Sequence, residues 1–196
     1  MCGFAGYIDL TGLDADPTIL KKMSDCIQYR GPDDQGFWTN GRVGFSHRRL
    51  SILDTSSAGH QPMESSDNNC LVYNGELYNH EILRSHLLER KDFKSTSDTE
   101  VLLRLLNQDG VESLGRLNGI FAFSYFNKKT GKITLARDHL GVKPLYYARD
   151  DKKIYFSSEI KSILAAGFKA EFNRVSSIDF SLTGWTADDQ NFLKGI

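Results

Sequence analysis

Cys2, behind a single methionine, is the residue in this chain best placed to do covalent chemistry. Methionine excision favours a small second side chain, and cysteine qualifies. Removal of Met1 leaves Cys2 carrying both a thiol and a free α-amine. Only the thiolate is strongly nucleophilic, and a free cysteine has a pKa of about 8.5. An α-amine, with a pKa of about 7.7–8.0, lies close to working pH and can take that proton. Nucleophile and base then come on one residue. Gly3, with Gly6 close behind, leaves backbone room for a substrate. Taken alone, Cys2 reads more simply as a small hydrophobe at the start of a first strand. If Met1 stays attached, the Cys2 nitrogen is an amide and no base.

Other reactive side chains point to structure. Cys2, Cys26 and Cys70 are an odd number with no CxxC pair, which supports neither a disulfide framework nor a zinc ribbon. Cys26 and Cys70 lie in apolar segments and read as small buried hydrophobes. His47, His60, His80, His86 and His139 lack metal-ligand spacing and read as surface or satisfied core groups. Asn74-Gly75 is the strongest hairpin dipeptide. Ser97-Asp98-Thr99-Glu100 has capping-box spacing, with Asp98 a favourable partner for the helix dipole.

These residues need elements to hold them. Gly3–Leu10, Val43–Leu53, Cys70–Tyr73 and Ile120–Phe126 read as strands. Lys132–Arg137 follows a turn-forming stretch ending at Gly131 and makes a hairpin with Ile120–Phe126. Leu145–Ala148 and Lys153–Ser157 make another. Helical spacing marks Pro17–Tyr29. It also marks a segment after an Asn79 N-cap carrying Ile82, Leu83, Leu87 and Leu88, an apolar helix from Ser97 to near Gly110, and Glu159–Ala166. Ser65–Asn69 and Lys91–Thr96 read as polar loops. Strands apolar on both faces need cover on both sides. This predicts an α+β fold: a sandwich of two mainly antiparallel sheets between helical layers.

Composition narrows the class. The chain has 196 residues, 40% hydrophobic and 25% charged, which fits one globular domain with a trailing piece of a second. A net charge of −1 marks neither nucleic acid nor an anionic membrane as partner. The most apolar stretch, Ile120–Phe126, is far short of the roughly 20 residues of a bilayer span. The opening residues lack the charged region of a signal peptide, so a cytoplasmic location is expected. Beyond Gly167 the texture changes.

Several motifs in order carry a resemblance. Met1-Cys2-Gly3-Phe4-Ala5-Gly6 is similar to the N-terminus of class II (N-terminal nucleophile) glutamine amidotransferases. Arg30-Gly31-Pro32-Asp33 resembles that family's RGPD loop. His47–Ile52 resembles its basic strand, Gln61-Pro62-Met63 its QP turn, and Tyr73–Asn79 its NGEIYN segment. Ser97–Glu100 resembles its SDTE signature and Arg137–Tyr146 its RDxxGxxPLYY hairpin. The spacing is most like the glutaminase half of glutamine-hydrolysing asparagine synthetases. The resemblance covers residues 1–167; 168–196 read as a linker or the start of a synthetase domain, within which Gly184–Ile196 resembles the entry into the ATP-using half. No SGGxD-type pyrophosphate loop is present. No cofactor is therefore expected on this chain, with ATP and Mg expected only on a synthetase domain in cis or in trans.

The resemblance implies a four-layer αββα sandwich of the N-terminal-nucleophile hydrolases, with L-glutamine as substrate. A specific site must satisfy a carboxylate, an ammonium and an amide, because buried unpaired charge is costly. By the match, Arg49 forks the carboxylate, and Arg48 next to it faces the other way along a strand. Asp98, with Glu76 as a possible second, meets the ammonium. The Asn74 side-chain amide and the Gly75 N–H stabilise the oxyanion, with Cys2 the nucleophile. Arg30 and the Gly31-Pro32-Asp33-Asp34 turn form either a loop over the site or a structural turn held by an Asp. Three readings stay open: a glutaminase feeding ammonia to a synthetase, an N-terminal-cysteine amide hydrolase of other specificity, and an inactive glutamine-binding domain that keeps Met1. The ammonia acceptor and a homodimer are left open too.

Overall fold

The computed structural model describes residues 1–87, 93–186 and 191–196. Leu88, Lys91, Asp92 and residues 187–190 of the segment after Gly167 lie outside the described residues. Strand β1 (Gly3–Asp9) pairs antiparallel with β3 (Val43–Arg49) on one side and β9 (Lys153–Ser157) on the other. Strands β2 (Asp34–Asn40) and β8 (Tyr146–Arg149) complete a five-stranded sheet in the order β2-β3-β1-β9-β8. The second sheet has the order β4 (Met63–Glu64), β5 (Cys70–Leu77), β6 (Gly119–Asn127), β7 (Lys132–Arg137). Both hairpins expected from sequence form: β6 with β7, and β8 with β9.

The two sheets face each other across Phe4, Phe45, Val72, Ala122, Phe126 and Phe156, all buried. Helix α1 (Pro17–Asp25) covers the outer face of the first sheet, packing Leu20 and Met23 on Ala5 and Tyr7. Helix α4 (Ile160–Ala165) joins it through Ile163. Helices α2 (His80–His86) and α3 (Asp98–Asp109) cover the second sheet, with Val101, Leu102, Leu105 and Leu106 against Leu71, Tyr73 and Phe123. The layers are thus helix, sheet, sheet, helix, as the expected αββα sandwich requires. After Gly167 come β10 (Glu171–Phe172), α5 (Arg174–Thr183) and β11 (Leu193–Lys194), the two strands pairing together. Phe168 and Ile196 at the ends of this segment pack on the α1 side of the first sheet. No helix among the described residues is long and apolar enough to cross a membrane.

Four local expectations change. Strand β2 is absent from the sequence reading because it is an edge strand with little apolar alternation: only Gly36 is buried along it. The Pro17–Tyr29 helix stops at Asp25, and a short 3-10 turn (Gln28–Arg30) follows. Asn79 precedes α2 without capping it; its side chain instead donates to Arg116 O and accepts from Asn118 N. Cys26 ends α1 half-buried, whereas Cys70 is fully buried.

Candidate active site

Strand β5 runs straight through Asn74-Gly75, pairing them with Ala122 and Phe121 of β6. The hairpin-turn reading of that dipeptide is overturned. Glycine serves here for close approach, not for a turn. A Cβ on Gly75 would lie 2.5 Å from Ile120 O and 2.8 Å from Phe121 Cα.

The direction of the Gly75 N–H follows from strand alternation. Phe121, opposite Gly75, gives both its main-chain groups to Asp138 on the far side. Gly75 and Phe121 are therefore a non-hydrogen-bonded pair, and the Gly75 N–H turns away from β6. Tyr73 and Leu77, two residues either side, turn the same way: their N–H groups donate to Gln61 Oε1 at 2.7 Å and Asp98 Oδ2 at 2.9 Å. The Gly75 N–H between them faces a cavity of about 110 Å³.

That cavity is lined by Cys2, Arg49, Asn74, Gly75, Glu76 and Asp98, the six residues singled out from sequence. Cys2 precedes β1, and its Sγ meets the main chain of Leu50: the Leu50 N–H donates to Sγ at 3.4 Å, and the thiol lies 3.5 Å from Leu50 O. Burial pushes the thiol pKa up, while the Leu50 contact, the terminal ammonium and Arg49 pull it down and Asp98 pushes it up again. Sulfur, guanidinium and carboxylate thus share one electrostatic neighbourhood. Met1 and Lys143 also line the cavity, with Lys143 Nζ 3.5 Å from Met1 Sδ.

Arg49 is buried at the end of β3. Its Nη1 donates to Ser56 O at 2.8 Å and its Nη2 to Asp54 O. Each Nη carries a second hydrogen that can donate to a ligand carboxylate. Gly59 leaves the space: a Cβ there would strike the guanidinium. Asp54 fixes the loop by accepting from Ser56 and Thr96, donors that hold its carboxyl down at about 2. Arg48 points to the opposite face, to Ser24 Oγ at 2.9 Å and Asp25 at 2.8 Å.

Asp98 opens α3 and is buried. Its Oδ2 accepts from Tyr73 OH at 2.8 Å as well as from Leu77 N. Burial pushes its pKa up, opposed by those two donors. A cation arriving beside it would relieve that penalty. The capping box is half formed: Ser97 accepts from Glu100 N, but the Glu100 carboxylate turns to Ser95 and Arg104. Asn74 Nδ2 is buried with no hydrogen-bond partner among the described residues. A buried donor left free costs about 1–3 kcal/mol, which is repaid only if something in the cavity accepts from it.

Arg30 lies behind Cys2, not over the cavity. Its Nε donates to Cys2 O at 2.9 Å and its Nη1 pairs with Glu159 at 2.8 Å. Asp33 accepts from Ser51 N at 2.8 Å, so residues 30–34 form the structural turn. His47 departs from the satisfied-core expectation: its Nε2 meets Tyr73 O at 3.0 Å, but its Nδ1 is buried without a partner among the described residues. Sequence reasoning missed Leu50, Gln61 and Tyr73 as parts of the site. Gln61 stood in a quoted motif, but no spacing rule places its side chain against β5.

A family model described as a glutamine amidotransferase domain matches residues 1–196. Asparagine synthetase [glutamine-hydrolyzing] 3 of Bacillus subtilis strain 168 is 42% identical over 203 residues, which cover 100% of this chain and 33% of the relative. Amidase chry2 of Gibberella zeae is 34% identical, covering 100% of this chain and 31% of the relative. The chain thus spans about a third of the length of these curated relatives. Among solved structures, glutamine phosphoribosylpyrophosphate amidotransferase from B. subtilis has a TM-score of 0.71 at 22% identity, covering 89% of this chain and 46% of that one. At that identity the likeness is one of fold.

Proposed function

Since the chain belongs to the glutamine amidotransferase domain family, we propose that it hydrolyses L-glutamine to glutamate and ammonia through a thioester on Cys2. The α-amine freed by loss of Met1 takes the thiol proton, and Sγ attacks the side-chain amide carbon. The oxygen becomes negative and is met by Asn74 Nδ2 and the Gly75 N–H. The amine returns its proton to the leaving nitrogen, the C–N bond breaks, and ammonia departs. Water, deprotonated by the same amine, cleaves the thioester and releases glutamate. Arg49 forks the substrate carboxylate, and Asp98, with Glu76 at the exposed end of the cavity, receives the ammonium.

One observation supports this reading above the others: a single small cavity is lined by Cys2, the buried Arg49 and Asp98, and Asn74, whose Nδ2 has no partner among the described residues. Two opposite charges lining one cavity suit a free amino acid, whereas a hydrolase of bulkier amides needs an apolar pocket. Residues 1–167 would form the glutaminase module and 168–196 begin a second unit. The ammonia would pass to an ATP-dependent synthetase domain, with aspartate the acceptor suggested by the asparagine synthetase relatives. Glutamate release from glutamine by the chain lacking Met1 tests the reading. Cys2→Ala should abolish it while glutamine still binds in calorimetry; equal turnover by that variant would refute it.

A further inference from the structure

Strand β5 has β6 along one edge, but on the other it pairs only at Cys70–Leu71 with the two-residue β4. Side chains from separate elements take over that edge. Gln61 Oε1 accepts from Tyr73 N at 2.7 Å, His47 Nε2 meets Tyr73 O at 3.0 Å, and Asp98 Oδ2 accepts from Leu77 N at 2.9 Å. A strand in this place would also have consumed the Gly75 N–H. Side chains stop on either side of it.

We propose that Gln61 and His47 are positioning residues for the oxyanion donors: together they fix both peptide groups of Tyr73, directly before Asn74 and Gly75. The proposal rests on the glutaminase reading above. Both side chains are buried. The Gln61 amide also donates to Thr99 Oγ1 at 3.3 Å, beside Asp98, so one side chain ties the donor strand to the ammonium carboxylate. With both its polar atoms engaged, Gln61 acts through β5. His47 reaches across from the opposite sheet, two residues before Arg49. A carbonyl can only accept, so His47 Nε2 is the protonated nitrogen and Nδ1 is bare. Burial holds the ring pKa at about 4, which keeps it the neutral donor near pH 7.

Steady-state glutamine hydrolysis and thermal midpoints of the full chain, wild type beside Gln61→Met, His47→Leu and His47→Gln, test this. Deleting an oxyanion donor costs about 10²–10³ in rate, so misplacing one should lower kcat roughly tenfold or more with KM for glutamine changed less than about threefold. His47→Gln keeps an N–H at similar reach and should recover most of the loss seen in His47→Leu. Unchanged kcat in Gln61→Met and His47→Leu overturns the proposal. So does KM rising in step with the fall in kcat, or His47→Gln no better than His47→Leu. If one deletion variant fails to fold, the other decides; if neither folds, the pair is structural and the proposal falls. A wild-type chain without turnover would instead overturn the glutaminase reading beneath it.

Discussion

Replacing Gly75 with alanine puts a methyl group where two strands already touch. The new Cβ would stand 2.5 Å from Ile120 O and 2.8 Å from both Cα and Cβ of Phe121. Ordinary contact begins at 3.4 Å, so the closest approach is short by 0.9 Å (3.4 less 2.5). The obstacles are main-chain atoms and a Cβ, and no flexible side chain can yield. β5 and β6 must part locally by a large fraction of an ångström. Overpacking of this kind costs about 1–3 kcal/mol of stability. The same movement carries the Gly75 N–H off its aim, and loss of one oxyanion donor costs about 10²–10³ in kcat. The expected variant is folded, has a lower thermal midpoint, and turns over glutamine at less than about one-hundredth of the wild-type rate with little change in KM. Glutamate release with parallel thermal melts checks both effects. A Gly75→Ala chain with wild-type kcat would refute the role of this peptide group.

Arg49→Ala should raise KM for glutamine by roughly 30- to 1000-fold, the equivalent of about 2–4 kcal/mol for a buried charged partner. It should also lower the thermal midpoint, because residues 54–56 lose their anchor. An unchanged KM would favour a hydrolase of other amides. Asp54 is held at about 2 by its donors. A carboxyl depressed in the fold adds stability above its ordinary value near 3.9 and loses it as pH falls towards 2. Denaturant midpoints of the wild type should therefore drop between about pH 4 and pH 2, and Asp54→Asn should flatten that part of the profile; equal slopes would contradict the assignment.

Layers and hairpins were legible because periodicity follows burial: β6, apolar along its length, is a central strand, and α3 carries its apolar face onto β5. Strand β2 was not, since an edge strand has little to bury. Asn74-Gly75 misled because the dipeptide's local preference for a turn was outweighed by the β6 ladder and by the close approach at Gly75. The six candidate site residues are spread from Cys2 to Asp98, and their meeting in one cavity rests on the pairing of β1 with β3 and the packing of α3 on β5. The resemblance named those residues. The supports behind them, the Leu50 main chain, Gln61, His47 and Tyr73, arise from tertiary contacts between distant segments, which no local pattern encodes.

Acid quenching of the chain, freed of Met1 and turning over glutamine, followed by mass spectrometry of its N-terminal peptide, reads the proposed chemistry most directly. A γ-glutamyl adduct on Cys2, absent when Met1 is retained and discharged by hydroxylamine, is the predicted result. Sustained glutamate release with no adduct on Cys2, or at full rate with Met1 still attached, would contradict it.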